Sequence, residues 1–373
     1  MKIVADHHIP YVTDYFGSYG ELILKPGRQM TAEDVKEADI LLVRSVTKVN
    51  EELLAHSKVK FVGSVTAGVD HLDTEWLEKA GVPWHAAVGF NAPPVADYVV
   101  SVVAALQRRG ALPSSGAKAA VIGVGNVGRL VVERLKLLNI EVVLCDPPRR
   151  EAEPDFRSIA LQEIEDVDLI SLHVPLTKRS IYPTHHFIDK AFLKKQKEGA
   201  VLLNASRGAV INPVDLMLLG THLNWCFDVW EHEPHIDLNV LNRALIATPH
   251  IAGYSVQSKI RGIEKIYRAA CEHGIIQAMA KPPLNMPTQK LHFSGQHHHW
   301  QDIVLGIFNP MILGAMMRST LLAENPDAHA FDHLRHQFNY RHEFSFTNIL
   351  DADVGEEDKA LLEQFGMICG KMH

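Results

Sequence analysis

Three short segments of this sequence carry polar residues of the kinds needed to move a hydride and a proton. They are Leu203-Asn-Ala-Ser-Arg207-Gly-Ala-Val, Phe227-Asp228-Val-Trp-Glu231-His-Glu233-Pro and Ala247-Thr-Pro-His250-Ile-Ala-Gly253-Tyr254. Oxidising a secondary alcohol needs a base for the hydroxyl proton, and a neutral imidazole titrates in the right range. His250 is the expected base. A carboxylate behind the ring orients it and stabilises the imidazolium, a role that suits Glu233. A guanidinium near the reacting carbon binds a carboxylate or polarises a carbonyl without changing charge, which suits Arg207. Singly, each has a plain structural reading, and in a chain with 22 histidines a loop histidine is unremarkable. The three segments together carry the assignment.

A cofactor site is expected upstream. Ala119-Ala-Val-Ile-Gly123-Val-Gly125-Asn126-Val127-Gly128 reads as a strand running into a G-x-G-x-x-G turn, followed by the helical segment Arg129 to Leu138. Gly123 permits the turn, Gly125 admits a pyrophosphate, and Gly128 lets the helix pack closely, with the anion at the helix N-terminus near Asn126 and Val127. The next strand ends in Asp146, about 20 residues on, where an acid binds ribose hydroxyls and repels a 2′-phosphate. NAD is therefore expected over NADP. Arg149 and Arg150 are the opposing signal, since an arginine in this turn accepts a 2′-phosphate.

Short apolar runs must position these residues. Lys2 to Ala5, Ile40 to Val43, Phe61 to Ser64, Ala119 to Ile122, Glu141 to Cys145, Leu169 to Leu172 and Val201 to Asn204 alternate with helix-period segments. That alternation predicts an α/β fold with two Rossmann-like lobes built on parallel sheets. Asn91-Ala-Pro-Pro opens a helix with Val95, Val99, Val102, Val103 and Leu106 on it, and a second helix follows Tyr254, so the lobes are expected to join at about 91–99 and 253–260 and to close on substrate. Residues 1–95 with 255–285 are expected as a substrate-binding lobe, 96–254 as the dinucleotide lobe, and 286–373 as a smaller α+β domain. Lys281-Pro-Pro and Met286-Pro mark the linker.

At 373 residues the chain is long enough for two or three domains. A formal charge of −7 argues against a general nucleic-acid surface, so the expected partners are small molecules. Four scattered cysteines without metal or disulfide spacing fit a reducing cytoplasm. The N-terminus has no long apolar region of an export signal, and Ile303 to Met317, broken at Asn309-Pro310, falls short of a bilayer span and reads as buried packing. His297-His298-His299 is assigned no metal, because consecutive residues in regular structure do not aim at one ion.

In order, the glycine turn, N-x-x-R-G, D-V-x-x-x-E-P and T-P-H-x-A-G segments resemble the D-isomer-specific 2-hydroxyacid dehydrogenase family over residues 1 to about 285. The resemblance implies that Arg207, Glu233 and His250 are catalytic. It also implies that Asp146, Val174, Ala205, Ser206, Arg207, Asp228 and Gly253 contact NAD, and that Ser45, Thr66 and Tyr254 contact substrate. Val65-Thr66-Ala-Gly-Val-Asp70 resembles the family's carboxylate-binding loop. Asp97 stands where a glutamate is more usual, and Val174 where a threonine is. Val43-Arg44-Ser45 through Asn50, with Phe331-Asp-His-Leu-Arg335 through Arg341-His-Glu-Phe344, is similar to a branch that oxidises a phosphorylated four-carbon acid on the way to pyridoxal 5′-phosphate and carries a C-terminal dimerisation domain. A homodimer follows from that likeness. For the phosphate, Arg44 and Lys48 are candidates, with Arg335 or Arg341 arriving from a partner subunit, while a structural ion pair is the alternative for Arg44. Another D-2-hydroxy acid such as 3-phosphoglycerate, glycerate or lactate, and a non-catalytic NADH sensor, remain as rival readings.

Overall fold

The computed structural model describes residues 1–279, 285–295, 297–324, 327, 329–338 and 340–370. The expected linker at Lys281-Pro-Pro lies outside the described residues. The chain forms two compact units, one of residues 1–91 and 256–287 and one of residues 92–255 and 288–373.

The first unit holds strands β1 (Lys2–Asp6), β2 (Glu21–Lys25), β3 (Ile40–Val43), β4 (Phe61–Ser64) and β5 (Trp84–Ala86), all parallel in the order β2-β1-β3-β4-β5. Every residue of β3 and β4 is buried, as expected of strands covered on both faces. Ile263, Ile266 and Tyr267 of the helix Val256–Glu272 recur at helical spacing and join Ile3, Phe16 and Phe61 in one core. Gly63 permits this seating, because a Cβ there would lie 2.4 Å from the Ile266 side chain. β2 lacks a clear apolar period and was not legible, since it is a half-exposed edge strand.

The second unit has strands β6 (Lys118–Ile122), β7 (Glu141–Cys145), β8 (Leu169–Leu172), β9 (Val201–Asn204), β10 (Asn224–Phe227) and β11 (Ile246–Ala247). They are parallel in the order β11-β10-β9-β8-β6-β7, the doubly wound arrangement expected. The helix Ala92–Arg108 buries 15 of its 17 residues. A helix buried all round needs cover on every side. Beyond the sheet's own residues, that cover includes Trp300, Ile303, Val304 and Phe308 from the C-terminal segment, which share its core. The segment also carries a three-stranded parallel sheet, β12 (Gln289–His292), β13 (Thr347–Leu350) and β14 (Ile368–Cys369), in that order. Among the described residues no single helix is long and apolar enough to cross a membrane, and Ile303, Val304, Leu313 and Met317 are buried.

One buried polar cluster ties the C-terminal segment to this helix. The Phe344 N–H donates to Asp97 Oδ2 at 2.9 Å, and Arg134 Nη2 lies 3.4 Å from Asp97 Oδ1. Arg341 donates to the carbonyls of Ala252 (3.1 Å) and Pro94 (2.7 Å), with its guanidinium 4.3 Å from the Phe308 ring centre. Burial pushes the Asp97 carboxyl up to about 6, with Arg134, the Phe344 N–H and Arg341 pulling the other way. Arg341→Leu removes a cation that acts on Asp97 and strands two carbonyls, so it should cost about 3–5 kcal/mol of stability. Urea unfolding measures this, and a loss under about 1 kcal/mol would show that the cluster is not what holds the segment.

Candidate active site

The glycine turn is built for a close-approaching anion. Gly123 follows β6 with φ +84°, and a Cβ there would lie 2.7 Å from the His173 backbone and 2.8 Å from the Val174 side chain. Val174 thus flanks the turn. A Cβ on Gly128 would stand 1.9 Å from the Gly123 carbonyl oxygen, so the helix Asn126–Leu137 reaches the strand only through glycine. A Cβ on Gly125 would meet nothing within 4 Å, which leaves the face above the helix N-terminus open to a phosphate. Asp146 follows β7 and accepts hydrogen bonds from the Val124 N–H (2.7 Å) and the Arg149 N–H (3.1 Å), which locks it beside the turn. The guanidinium of Arg149 is engaged by the Val124 carbonyl (2.8 Å) and Glu153 (3.0 Å) and stacks 4.2 Å from the Phe156 ring centre. These residues fit a dinucleotide whose ribose meets an acid.

The three candidate catalytic segments leave the carboxyl ends of β9, β10 and β11, which are neighbours in the sheet. After β9, Asn204 folds the turn. Its side chain accepts from the Ser206 N–H (3.0 Å) and hydroxyl (2.8 Å) and donates to the Arg207 carbonyl (2.9 Å). Gly208 allows this turn to lie on the next segment, since a Cβ there would stand 1.9 Å from the Trp230 carbonyl carbon. Ser206 is buried, Ala205 is half-buried, and Arg207 donates to the Ser206 carbonyl at 2.8 Å. After β10, the Trp230 N–H donates to Glu233 Oε1 at 2.8 Å. Glu233 Oε2 then lies 2.7 Å from His250 Nδ1. A carboxylate only accepts, so Nδ1 carries the proton and Nε2 presents the lone pair. Burial alone raises the Glu233 carboxyl, but His250, Arg335 and the Trp230 N–H outweigh it and hold the group below the usual carboxylate range.

Asp228 also has a part that the resemblance did not imply. It is buried, and its carboxylate is held by the His250 loop: Oδ1 accepts from the Thr248 hydroxyl (2.7 Å) and the Ile251 N–H (2.8 Å), Oδ2 from the Ala252 N–H (2.9 Å). The His250 N–H also donates to the Asp228 carbonyl (2.7 Å), and His250 sits at φ +57°, a left-handed backbone uncommon outside glycine. Gly253 and Tyr254 follow this loop. The Tyr254 hydroxyl accepts a hydrogen bond from Arg335 Nη2 at 2.8 Å. Arg335 and Arg341 therefore reach the loop of their own chain, and the expected delivery by a partner subunit is not needed.

In the first unit, Arg44 and Ser45 follow β3, and Thr66 follows the adjacent β4. Ser45 is exposed. The Thr66 hydroxyl donates to the Gly68 carbonyl (2.8 Å) and sits 2.7 Å from the Ser64 hydroxyl. Arg44 makes the structural pair named as its alternative, with Nε 2.9 Å and Nη2 3.3 Å from the carboxylate of buried Asp6. Sequence reasoning missed Lys259, in the first turn of the helix Val256–Glu272. Burial pushes its ammonium down to about 8, and nearby Arg44 acts in the same direction. Only its spacing after T-P-H-x-A-G was visible beforehand.

Two glycines separate the turn's two duties. Gly128→Ala should lower both thermal stability and NADH affinity, the latter at least tenfold, because the clash is with backbone. Gly125→Ala should keep the melting temperature and still lose affinity. Fluorescence titration with NADH beside thermal melts reads both, and normal binding by Gly125→Ala would remove the turn from the cofactor site.

Residues 103–252 match the family described as D-isomer specific 2-hydroxyacid dehydrogenase, NAD binding domain. An erythronate-4-phosphate dehydrogenase of Coxiella burnetii (strain RSA 331 / Henzerling II) is 45% identical over 92% of this chain and 94% of its own. One from Cellvibrio japonicus (strain Ueda107) is 38% identical over 99% of this chain and 100% of its own. Among solved structures, NAD⁺-bound 3-phosphoglycerate dehydrogenase of Entamoeba histolytica superposes with a TM-score of 0.63 at 23% identity, covering 76% of this chain and 98% of that one, a likeness of fold. The chain belongs to the erythronate-4-phosphate dehydrogenases, within the NAD-binding D-isomer-specific 2-hydroxyacid dehydrogenases.

Proposed function

We propose that this protein oxidises 4-phospho-D-erythronate to 3-hydroxy-2-oxo-4-phosphobutanoate in the synthesis of pyridoxal 5′-phosphate. The observation that carries the reading is the 2.7 Å pair of His250 Nδ1 and Glu233 Oε2, in a chain 45% identical over 92% of its length to a relative of that name. NAD, when bound, supplies the acceptor for the hydride of C2. His250 Nε2 takes the hydroxyl proton as the C2–O bond becomes a carbonyl, and Glu233 balances the imidazolium charge that forms. Arg207 stays charged throughout and holds the substrate carboxylate or the developing carbonyl oxygen. Ser45, Thr66 and Tyr254 serve as substrate contacts. Gly123, Gly125, Asn126, Val127, Gly128, Asp146, Val174, Ala205, Ser206, Asp228 and Gly253 serve the cofactor, Asp228 chiefly by holding the His250 loop.

For the phosphate, Lys259 and its neighbour Arg44 are the candidates. Burial weakens the Lys259 charge, and a bound dianion would offset that burial. Residues 286–373 serve as the dimerisation segment. Ile312 and Met316, four apart on the helix Pro310–Leu321, are exposed and support a self-association face, and light scattering would read a mass twice that of the chain. Four free cysteines support a cytoplasmic setting.

Absorbance of NADH formed from a panel of 2-hydroxy acids tests the substrate, with 4-phospho-D-erythronate expected to give the highest kcat/KM. His250→Ala should cut that rate by about 10² to 10⁴. Equal rates for phosphorylated and unphosphorylated acids, or no turnover at all, would reject the reading. KM for the phosphorylated acid should rise as pH passes about 8, where Lys259 loses its proton. Lys259→Met should have a high KM at every pH, and an unchanged KM would assign the phosphate elsewhere.

A further inference from the structure

The C-terminal segment carries a buried cation to Tyr254, four residues beyond His250. Arg335 lies on the helix Ala330–Gln337, and its side chain is only 12% exposed. Its Nη2 donates to the Tyr254 hydroxyl at 2.8 Å, its guanidinium carbon lies 5.6 Å from the Tyr254 ring centre, and its Nη1 is 3.7 Å from Asp332 Oδ1. Its Nε is shielded from solvent and makes no hydrogen bond among the described residues. A charge placed so deep, with a donor left over, is not there for a surface ion pair.

We infer that Arg335 is a positioning residue for the His250–Glu233 pair, supplied by the C-terminal segment of the same chain. The inference rests on the reading of that pair as the proton-transfer group. Two buried carboxylates, Glu233 and Asp228, act on the one imidazole. Arg335 offsets them. The groups that act on it are Tyr254, Glu233, Asp332 and Asp228, and together they hold its guanidinium above the usual range although burial opposes this. The same cation contributes to keeping Glu233 ionised. Its bond to Tyr254 fixes the residue that follows the His250 loop. The C-terminal segment therefore carries part of the site's charge balance, besides any part it takes in assembly.

The test uses full-length Arg335→Met and Arg335→Lys, with thermal melts to establish folding. Selective ¹³C-carboxyl labelling, assigned by Glu233→Gln, follows the pH midpoint of Glu233 without substrate. Arg335→Met should raise that midpoint and lower kcat about tenfold or more. Arg335→Lys keeps a charge nearby and should retain most of the wild-type midpoint and kcat. An unchanged Glu233 midpoint in Arg335→Met, or an equal shift in both variants, would overturn the inference. If the wild-type enzyme failed to turn over 4-phospho-D-erythronate, the substrate reading alone would fall, since the Glu233 midpoint is read independently. Should Arg335→Met not fold, Arg335→Lys against Arg335→Gln gives the same comparison.

Discussion

A buried carboxylate, that of Asp228, organises the catalytic unit. Removing such a group from water costs several kcal/mol, and burial accordingly pushes its carboxyl up against the pull of His250, the Thr248 hydroxyl and two backbone N–H groups. Three charge-assisted hydrogen bonds of about 1.5–3 kcal/mol each offset that cost. All three land within residues 248–252, so the carboxylate grips the loop from both sides of His250. The Tyr98 hydroxyl, 2.8 Å from Thr248 Oγ1, extends the grip into the long buried helix. Without this hold, His250 would have little reason to keep a left-handed backbone, which costs about 1–2 kcal/mol for a residue with a Cβ. Its ring would then lose its aim at Glu233.

From that anchor the remaining parts follow by contact. Trp230 links the β10 and β11 segments through its indole, which donates to the Thr248 carbonyl at 2.9 Å, while its backbone N–H holds Glu233 within the β10 segment. Gly208 brings the Arg207 turn against the same Trp230 backbone. A single aromatic residue between two loops thus relates the arginine, glutamate and histidine segments to one another. The C-terminal segment supports the arrangement from behind, through Arg341 on the Ala252 carbonyl and Ser255, whose hydroxyl donates to buried Glu343 at 2.5 Å. It shares the core of the helix Ala92–Arg108, and so its stability and the site's geometry are coupled.

The β/α alternation was legible because strands buried on both faces are mostly apolar, and β3, β4, β8 and β9, buried at every position, carry only Ser64, Ser171 and Asn204 as polar residues. The edge strands β2 and β11 were not, since a half-exposed strand and a two-residue one leave no period to read. The glycine turn was equally plain, as backbone clashes at Gly123 and Gly128 admit no other residue. The family resemblance implied a cofactor contact for Asp228 but not its hold on the His250 loop, and Lys259 drew no notice, because a charge's meaning depends on what is packed around it.

By itself, then, the sequence determined which residue types the chemistry would use and where the glycine turn would lie, because periodicity and glycine requirements are local properties of the chain. Tertiary structure alone decided that His250 Nδ1 meets Glu233 Oε2 at 2.7 Å, that Arg44 is paired to Asp6, and that Arg335 comes to Tyr254 within one chain. Those facts join residues 17, 38 and 81 positions apart. Which partner a charged group finds across such a separation depends on how the elements pack, and no spacing along the chain encodes it.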